Sequence, residues 1–122
     1  MRFTQDSNSA AHFVRSYGGG ELRINDNVYR AAVIVSASTV VTASDIRTME
    51  DVNLLDPARI LALDPELILL GTGPRQSFPS AAFGAQFLRA GIGFEVMDTG
   101  AACRTFNVLV GQQRRVVALL LV

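Results

Sequence analysis

Two uninterrupted apolar stretches, LILL at 67–70 and VVALLLV at 116–122, constrain this chain more than any other feature of it. A strand with one face in water alternates apolar and polar residues. A run without alternation belongs to a strand covered throughout, as in a parallel sheet roofed by helices. The first run ends at Gly71-Thr72-Gly73-Pro74, and the second follows Arg114-Arg115. The spacing between them predicts strands at 67–71, 93–97 and 114–122, with helices over 79–90 and 99–110. Strand, helix, strand, helix, strand at this spacing means right-handed crossovers and mutually parallel neighbours. Ser77 or Ser80 is positioned to cap the first of these helices, with Phe83, Phe87 and Leu88 as its buried stripe, and Gly91 and Gly93 close it. Asp98 or Thr99 is positioned to cap the second.

The first half has a different rhythm. Residues 1–10 are polar and read as a flexible leading segment. Tyr17 precedes Gly18-Gly19-Gly20, a flexible loop or a close backbone approach. ELRI and VYRAAVIVS flank Asn25-Asp26-Asn27, which reads as a tight turn between two strands. A third short strand falls around Val40 and Val41, and Asp56-Pro57 opens a short helix carrying Ile60, Leu61 and Leu63 that ends at Asp64-Pro65. The fold class is therefore α/β. Residues 11–122 form a single compact domain, with a parallel βαβαβ C-terminal half and a β-rich N-terminal meander packed as an extra layer.

Composition removes several functions. The 11 cations are all Arg and balance 11 acidic residues, so a general nucleic-acid surface, normally basic, is disfavoured. With no Lys, a Schiff base or lysine general base is excluded. One Cys (Cys103) and one His (His12) cannot make a disulfide or a structural zinc set. No metal or cofactor is expected. The N-terminus lacks the apolar core of a secretory signal, and a run of seven apolar residues is too short to cross a bilayer. These features lead to the expectation of a soluble, cytoplasmic protein in a reducing compartment, without direct membrane insertion.

In open parallel sheets the ligand crevice lies beyond the carboxyl ends of the strands. Two loops meet there by this reading, Gly71-Thr72-Gly73-Pro74-Arg75 and Asp98-Thr99-Gly100. Each joins a strand to a helix N-terminus, where unpaired N–H groups favour an anion. Gly71, Thr72, Gly73, Arg75, Asp98, Thr99 and Arg104 are thus the candidate anion-binding residues. The junction is neither a P-loop nor GxGxxG, since the Lys is absent and Gln76 stands in place of the third Gly. Gly71 and Gly73 serve equally as a turn for close strand–helix packing, and Arg104 with Asp98 as a structural ion pair. Cys103, beside Ala101 and Ala102, reads as a small buried hydrophobe, with a reactive thiol as the lesser reading. His12 has no evident triad partner, and Ser77 lacks the context of a nucleophile elbow.

LILLGTGPRQSFP, AGIGFEVMDTGAACRTFNVLV and RRVVALLLV together resemble the Mth-type domain of unknown function, and YGGGELRIN resembles it more loosely. That family includes a mitochondrial respiratory complex I assembly factor and the adipogenesis-associated Mth domain protein. The resemblance implies one α/β domain with a β layer packed on it and no established catalytic activity. Carried over by position, the recurring residues are Gly71, Thr72, Gly73, Asp98, Thr99, Ala102, Arg104, Thr105 and Asn107. This chain departs from the pattern at Phe106, where relatives often have Tyr, and at Thr42-Ala43-Ser44, where many carry an aromatic. The functional expectation is a non-enzymatic accessory protein with a protein partner, an assembly factor for membrane protein complexes being one form of it, and a homodimer being open. A small-molecule anion binder or enzyme using the crevice is the alternative.

Overall fold

The computed structural model describes residues 11–122; the segment 1–10, expected to be flexible, lies outside the described residues. The chain runs through β1 (Val14–Gly18), β2 (Glu21–Ile24), β3 (Asn27–Tyr29), β4 (Val33–Val35), β5 (Val40–Thr42), α1 (Met49–Asn53), α2 (Ala58–Leu61), β6 (Leu67–Thr72), α3 (Ala81–Arg89), β7 (Gly93–Met97), α4 (Thr99–Gly111) and β8 (Val116–Leu121). Two sheets result: a three-stranded antiparallel sheet in the order β1-β2-β3, and a five-stranded mixed sheet in the order β5-β4-β8-β6-β7.

The parallel core is as the apolar runs require. β6 pairs with β7 on one side and β8 on the other, both parallel, so that Leu70 stands opposite Val96 and Leu119. The step from β6 to β7 moves one strand outward, and the step from β7 to β8 returns across β6. Right-handed crossovers running in opposite directions place their helices on opposite faces. Accordingly Phe83 and Phe87 of α3 pack with Ile68, Leu70, Val117 and Leu119. Ala102, Cys103, Phe106 and Val110 of α4 pack with Leu69, Ala118 and Leu120. The central strands β6 and β8 thus have apolar cover on both sides, and all six residues of β8 are buried. β4 joins β8 antiparallel, with Ile34 opposite Leu119, and β5 extends the sheet from β4.

The three-stranded sheet lies on the α4 side, where Val14, Leu22 and Ile24 enter the same apolar cluster as Phe106. Two side-chain bonds fix it to the helix: Val14 N–H donates to Asn107 Oδ1 at 2.8 Å, and Asn107 Nδ2 donates to the Val14 carbonyl at 2.8 Å. The β1–β2 turn holds Gly19 at φ 60° and Gly20 at φ 77°, with open space around both, so glycine is needed there for conformation and not for room. Asn25 takes φ 51° at the β2–β3 turn, as the Asn-Asp-Asn motif implies.

Several sequence expectations are corrected. VRSYG supplies a strand, β1, that the sequence pattern did not predict. VYRAAVIVS is two strands in different sheets: Asn27–Tyr29 is largely exposed, Val33–Val35 is fully buried, and the chain breaks between them. α1 was also missed; Thr48 and Asp51 form a reciprocal capping box at its start. Neither Ser77 nor Ser80 caps α3 with its side chain: the Ser77 N–H donates to Thr72 Oγ1, and the Ser80 N–H donates to Asn53 Oδ1. Leu88, expected in the buried stripe, is 58% exposed. The Phe94 ring occupies the row it shares with Gly84, where an added Cβ would meet that ring at 2.8 Å. The last strand starts at Val116, not Arg114, because Gln113 takes φ 60° and Arg114 N–H turns back to the Leu109 carbonyl. Asp56 does open the short helix, accepting from Ala58 N–H at 3.0 Å, and Asp64 at φ 55° follows its end.

Candidate functional site

The two loops meet side by side at the carboxyl ends of β6 and β7. Thr99 joins them. Its hydroxyl accepts from Gly73 N–H at 2.7 Å and donates to the Leu121 carbonyl at 2.6 Å, while its own N–H donates to the Gly73 carbonyl at 2.9 Å. One fully buried threonine therefore ties β6, α4 and the end of β8 together. Gly71 permits the approach: a Cβ there would stand 2.9 Å from the Thr99 hydroxyl oxygen and 3.0 Å from its Cα. Gly73 is required for another reason, its φ of 95°. Thr72 Oγ1 donates to the Arg75 carbonyl at 2.6 Å and accepts from Ser77 N–H, which folds the loop back on itself.

Asp98 is the N-cap of α4, its Oδ1 accepting from Ala101 N–H at 2.8 Å, and its carbonyl accepts from Ala102 N–H. The expected Asp98–Arg104 ion pair is not formed. The ion pairs among the described residues are Arg30–Glu21, Arg59–Asp45, Arg114–Glu66 and Arg115–Asp64. Asp98 is committed to the backbone of its own helix. Arg104 is exposed and folds back toward the first turn, its Nη1 lying 3.5 Å from where a Cβ on Gly100 would be. Arg75 is exposed on the neighbouring loop. Tyr17 of β1, which no sequence pattern connects to this place, reaches the same turn, with Cδ2 3.9 Å from that Gly100 position. Burial raises the Tyr17 phenol above its ordinary pKa, and Cys103 and then Asp98 add to this.

Cys103 is 5% exposed. Burial pushes its thiol up to about 12; Asp98 adds to the rise, and nearby Arg104 works against it. The thiol is protonated at neutral pH, so the small-hydrophobe reading holds over the reactive one. His12 is anchored: its N–H donates to the Ala37 carbonyl at 2.8 Å, and Nδ1 lies 3.0 Å from the Ser36 carbonyl. No group of three or more His, Cys, Asp or Glu stands together among the described residues.

A hollow of about 660 Å³ is at the opposite end of the sheet, bordered by Phe13, Ser36, Leu63, Val110, Arg114 and Val116. Its arginines are matched: Arg114 by Glu66 at 3.3 Å and Arg115 by Asp64 at 3.6 Å.

A doubly covered mixed sheet with an antiparallel sheet on its α4 side, closed by a Gly-Thr-Gly loop against a threonine-bearing helix start, defines a small mixed α/β domain of the Mth938-like kind. The chain belongs to the family described as "protein of unknown function (DUF498/DUF598)", whose model matches residues 14–121. A curated relative, the "13 kDa major membrane protein" of Francisella tularensis subsp. holarctica, is 30% identical over 117 residues, 95% of each chain. A Xanthomonas campestris protein of known structure is 34% identical, covers 100% of this chain and 92% of its own, and superposes with a TM-score of 0.81. A Bordetella pertussis protein described as a Mth938-like domain is 29% identical, covers 99% and 92%, and scores 0.79. A Bartonella henselae protein described as an outer membrane protein is 31% identical, covers 92% and 95%, and scores 0.75. In the described residues of the present chain, no helix is long and apolar enough to cross a membrane.

Proposed function

We propose that this protein is an accessory factor that acts by binding another protein and not by turning over a substrate. One observation carries the reading. Four backbone N–H groups that would hold an anion in the crevice are already engaged by the chain itself. The N–H groups of Gly73 and Thr99 bond across the two loops, and those of Ala101 and Ala102 bond to Asp98. The carboxylate of Asp98 supplies the negative charge that the N-terminus of α4 favours. A crevice closed in this way is a structural joint. The membrane wording in the names of the Francisella and Bartonella relatives fits a protein that reaches a membrane complex through a partner. Assistance to the assembly of such complexes, from the cytoplasm, is the form the family resemblance supports.

The anion-binding alternative rests on Arg75 and Arg104, both exposed beside the shared turn. A thermal-shift and NMR titration with sulfate, phosphate, nucleotides and small carboxylates separates the two. The proposal expects no saturable stabilisation, together with specific capture of a protein partner from native cells. A saturable ligand that shifts the amides of 71–75 and 98–104, and is lost in Arg104→Ala at unchanged stability, overturns it.

A further inference from the structure

Among the described residues, no strand pairs with the outer edge of β7. Gly93 N–H points inward, donating to the Glu66 carbonyl at 3.0 Å. Alternation along a strand then turns the N–H and C=O of Glu95 and Met97 toward β6, and those of Phe94 and Val96 outward. Among these outward groups, the Val96 carbonyl takes a bond from Gln76 Nε2 at 3.2 Å, a side chain on a loop. Along this edge, on the α3 face, runs an apolar hollow of about 250 Å³ lined by Phe78, Ala81, Ala85, Leu88, Phe94 and Val96. Phe78 is 69% exposed and Leu88 58%. Large apolar side chains clustered in water beside a free strand edge mark a place for another chain. On the other face of β7 the exposed residue is Glu95, which is in none of the ion pairs among the described residues.

Glu95 decides the occupant. Pairing of β7 with a second copy about a twofold axis, Phe94 against Val96, sets Glu95 directly opposite its own counterpart. Like charges so placed oppose pairing. A strand with a cation at that position is favoured by the same rule. We propose that the β7 edge receives an extended segment of another protein, apolar at alternate positions toward the α3 hollow and carrying Lys or Arg opposite Glu95. Main-chain bonds to Phe94 and Val96 would supply register, with the Gln76 side chain displaced from the Val96 carbonyl, and the hollow would select the apolar positions. This deepens the interaction reading above and rests on it.

The test titrates the ¹⁵N-labelled full chain with a pool of alternating Val/Thr peptides, varied among Lys, Thr and Glu at the central polar position. The expected result is shifts and added exchange protection at the Phe94 and Val96 amides, with Lys-bearing peptides bound best. Glu95→Lys, on an exposed position with the β6 ladder intact, should weaken those peptides about fivefold and move the preference to Glu. Val96→Pro, which removes an outward N–H and trims the side chain that lines the hollow while leaving the β6 ladder bonds in place, should weaken all of them while the circular dichroism stays native. Absence of shifts at Phe94 and Val96, or a preference unmoved by Glu95→Lys, overturns the proposal. So does binding to phosphatidylglycerol vesicles that needs Phe78 and ignores Glu95, which assigns the patch to a lipid surface. A native partner still captured by both variants would sink the edge and leave the interaction reading standing, whereas a saturable anion at the crevice would sink that reading itself.

Discussion

Thr99 concentrates more of the architecture than any other polar residue. Its hydroxyl is the partner of one buried donor and one buried acceptor, on Gly73 and Leu121. Thr99→Val keeps the shape and removes the oxygen, so both groups lose their partner. Unpaired buried groups cost about 1–3 kcal/mol each, and a loss of about 2–4 kcal/mol in denaturant unfolding is expected. Thr99→Ser keeps the oxygen and should lose about 1 kcal/mol or less. Equal losses in the two variants would mean that the methyl packing matters and the bonds do not. Gly71→Ala should cost about 1–3 kcal/mol, because the contact at 3.0 Å is with the Thr99 backbone, which cannot swing away.

Cys103 makes a pH prediction with a definite sign. Its thiol titrates near 9.0 in the unfolded chain and near 12 in the folded one. Between these values the folded state holds a proton that the unfolded state has released. The stabilisation is complete below pH 9 and is lost as pH rises toward 12, at about 1.4 kcal/mol per pH unit. Tyr17, also raised, adds in the same direction above its ordinary value of 10.0. Chemical denaturation at successive pH values should show the decline, and Cys103→Ala should flatten its first part. A stability that holds level from pH 9 to 11 would contradict the burial argument.

At the scale of elements, α3 separates what a pattern reveals from what it cannot. The Phe83/Phe87 spacing marks a buried row, and these rings cluster with Phe94 at centroid distances of 5.3–5.8 Å, Phe87 stacked on Phe94 and Phe83 edge-on to both. Leu88 fits the same apolar pattern yet faces water, because which neighbouring row is filled depends on Phe94, which arrives from another strand. Phe87→Ala should cost about 3–5 kcal/mol, and Leu88→Ser should stay within about 0.5 kcal/mol. A large loss for Leu88→Ser in thermal melts would restore it to the core. The same distinction runs through the chain. The parallel strands and the two long helices are legible because runs, glycines and caps are local. The division of VYRAAVIVS between sheets depends on what lies above each arm, and that is decided by α4 and β8. The joining of Gly73 to Thr99 was legible in part, since two strand ends of one parallel sheet must be near each other. The reach of Tyr17 to the same turn was not; Asp98 was legible as a cap, but the pair with Arg104 read beside it is not formed. α1 did carry a signal, Thr48 with Asp51 three residues on, and the capping box formed by this pair is the pattern that identifies it.

For the whole molecule the question is how tightly the three-stranded sheet is joined to the rest. Its apolar residues share the α4 cluster, and its first strand is held by the Asn107 clamp on Val14, across 93 positions of sequence, and just before it by the bond from His12 N–H to the Ala37 carbonyl. The centre of the five-stranded sheet, β4, β8 and β6, is by contrast buried on both faces. Native-state hydrogen exchange should therefore show two levels. The Leu69 and Leu119 amides should exchange only through global unfolding, and those of Leu22 and Ile24 should also exchange through a smaller opening that frees the hairpins. Asn107→Ala leaves both backbone groups of Val14 unpaired, so that opening should become easier by about 2 kcal/mol. Exchange at Leu22 and Ile24 should then rise roughly thirtyfold if the small opening governs it. The Leu69 and Leu119 amides should change much less, because the β6–β8 ladder keeps its own bonds. Were all four amides to accelerate together, β1–β3 and the central sheet would form one cooperative unit, and the clamp would be a support of the whole domain instead of a hinge pin for its outer layer.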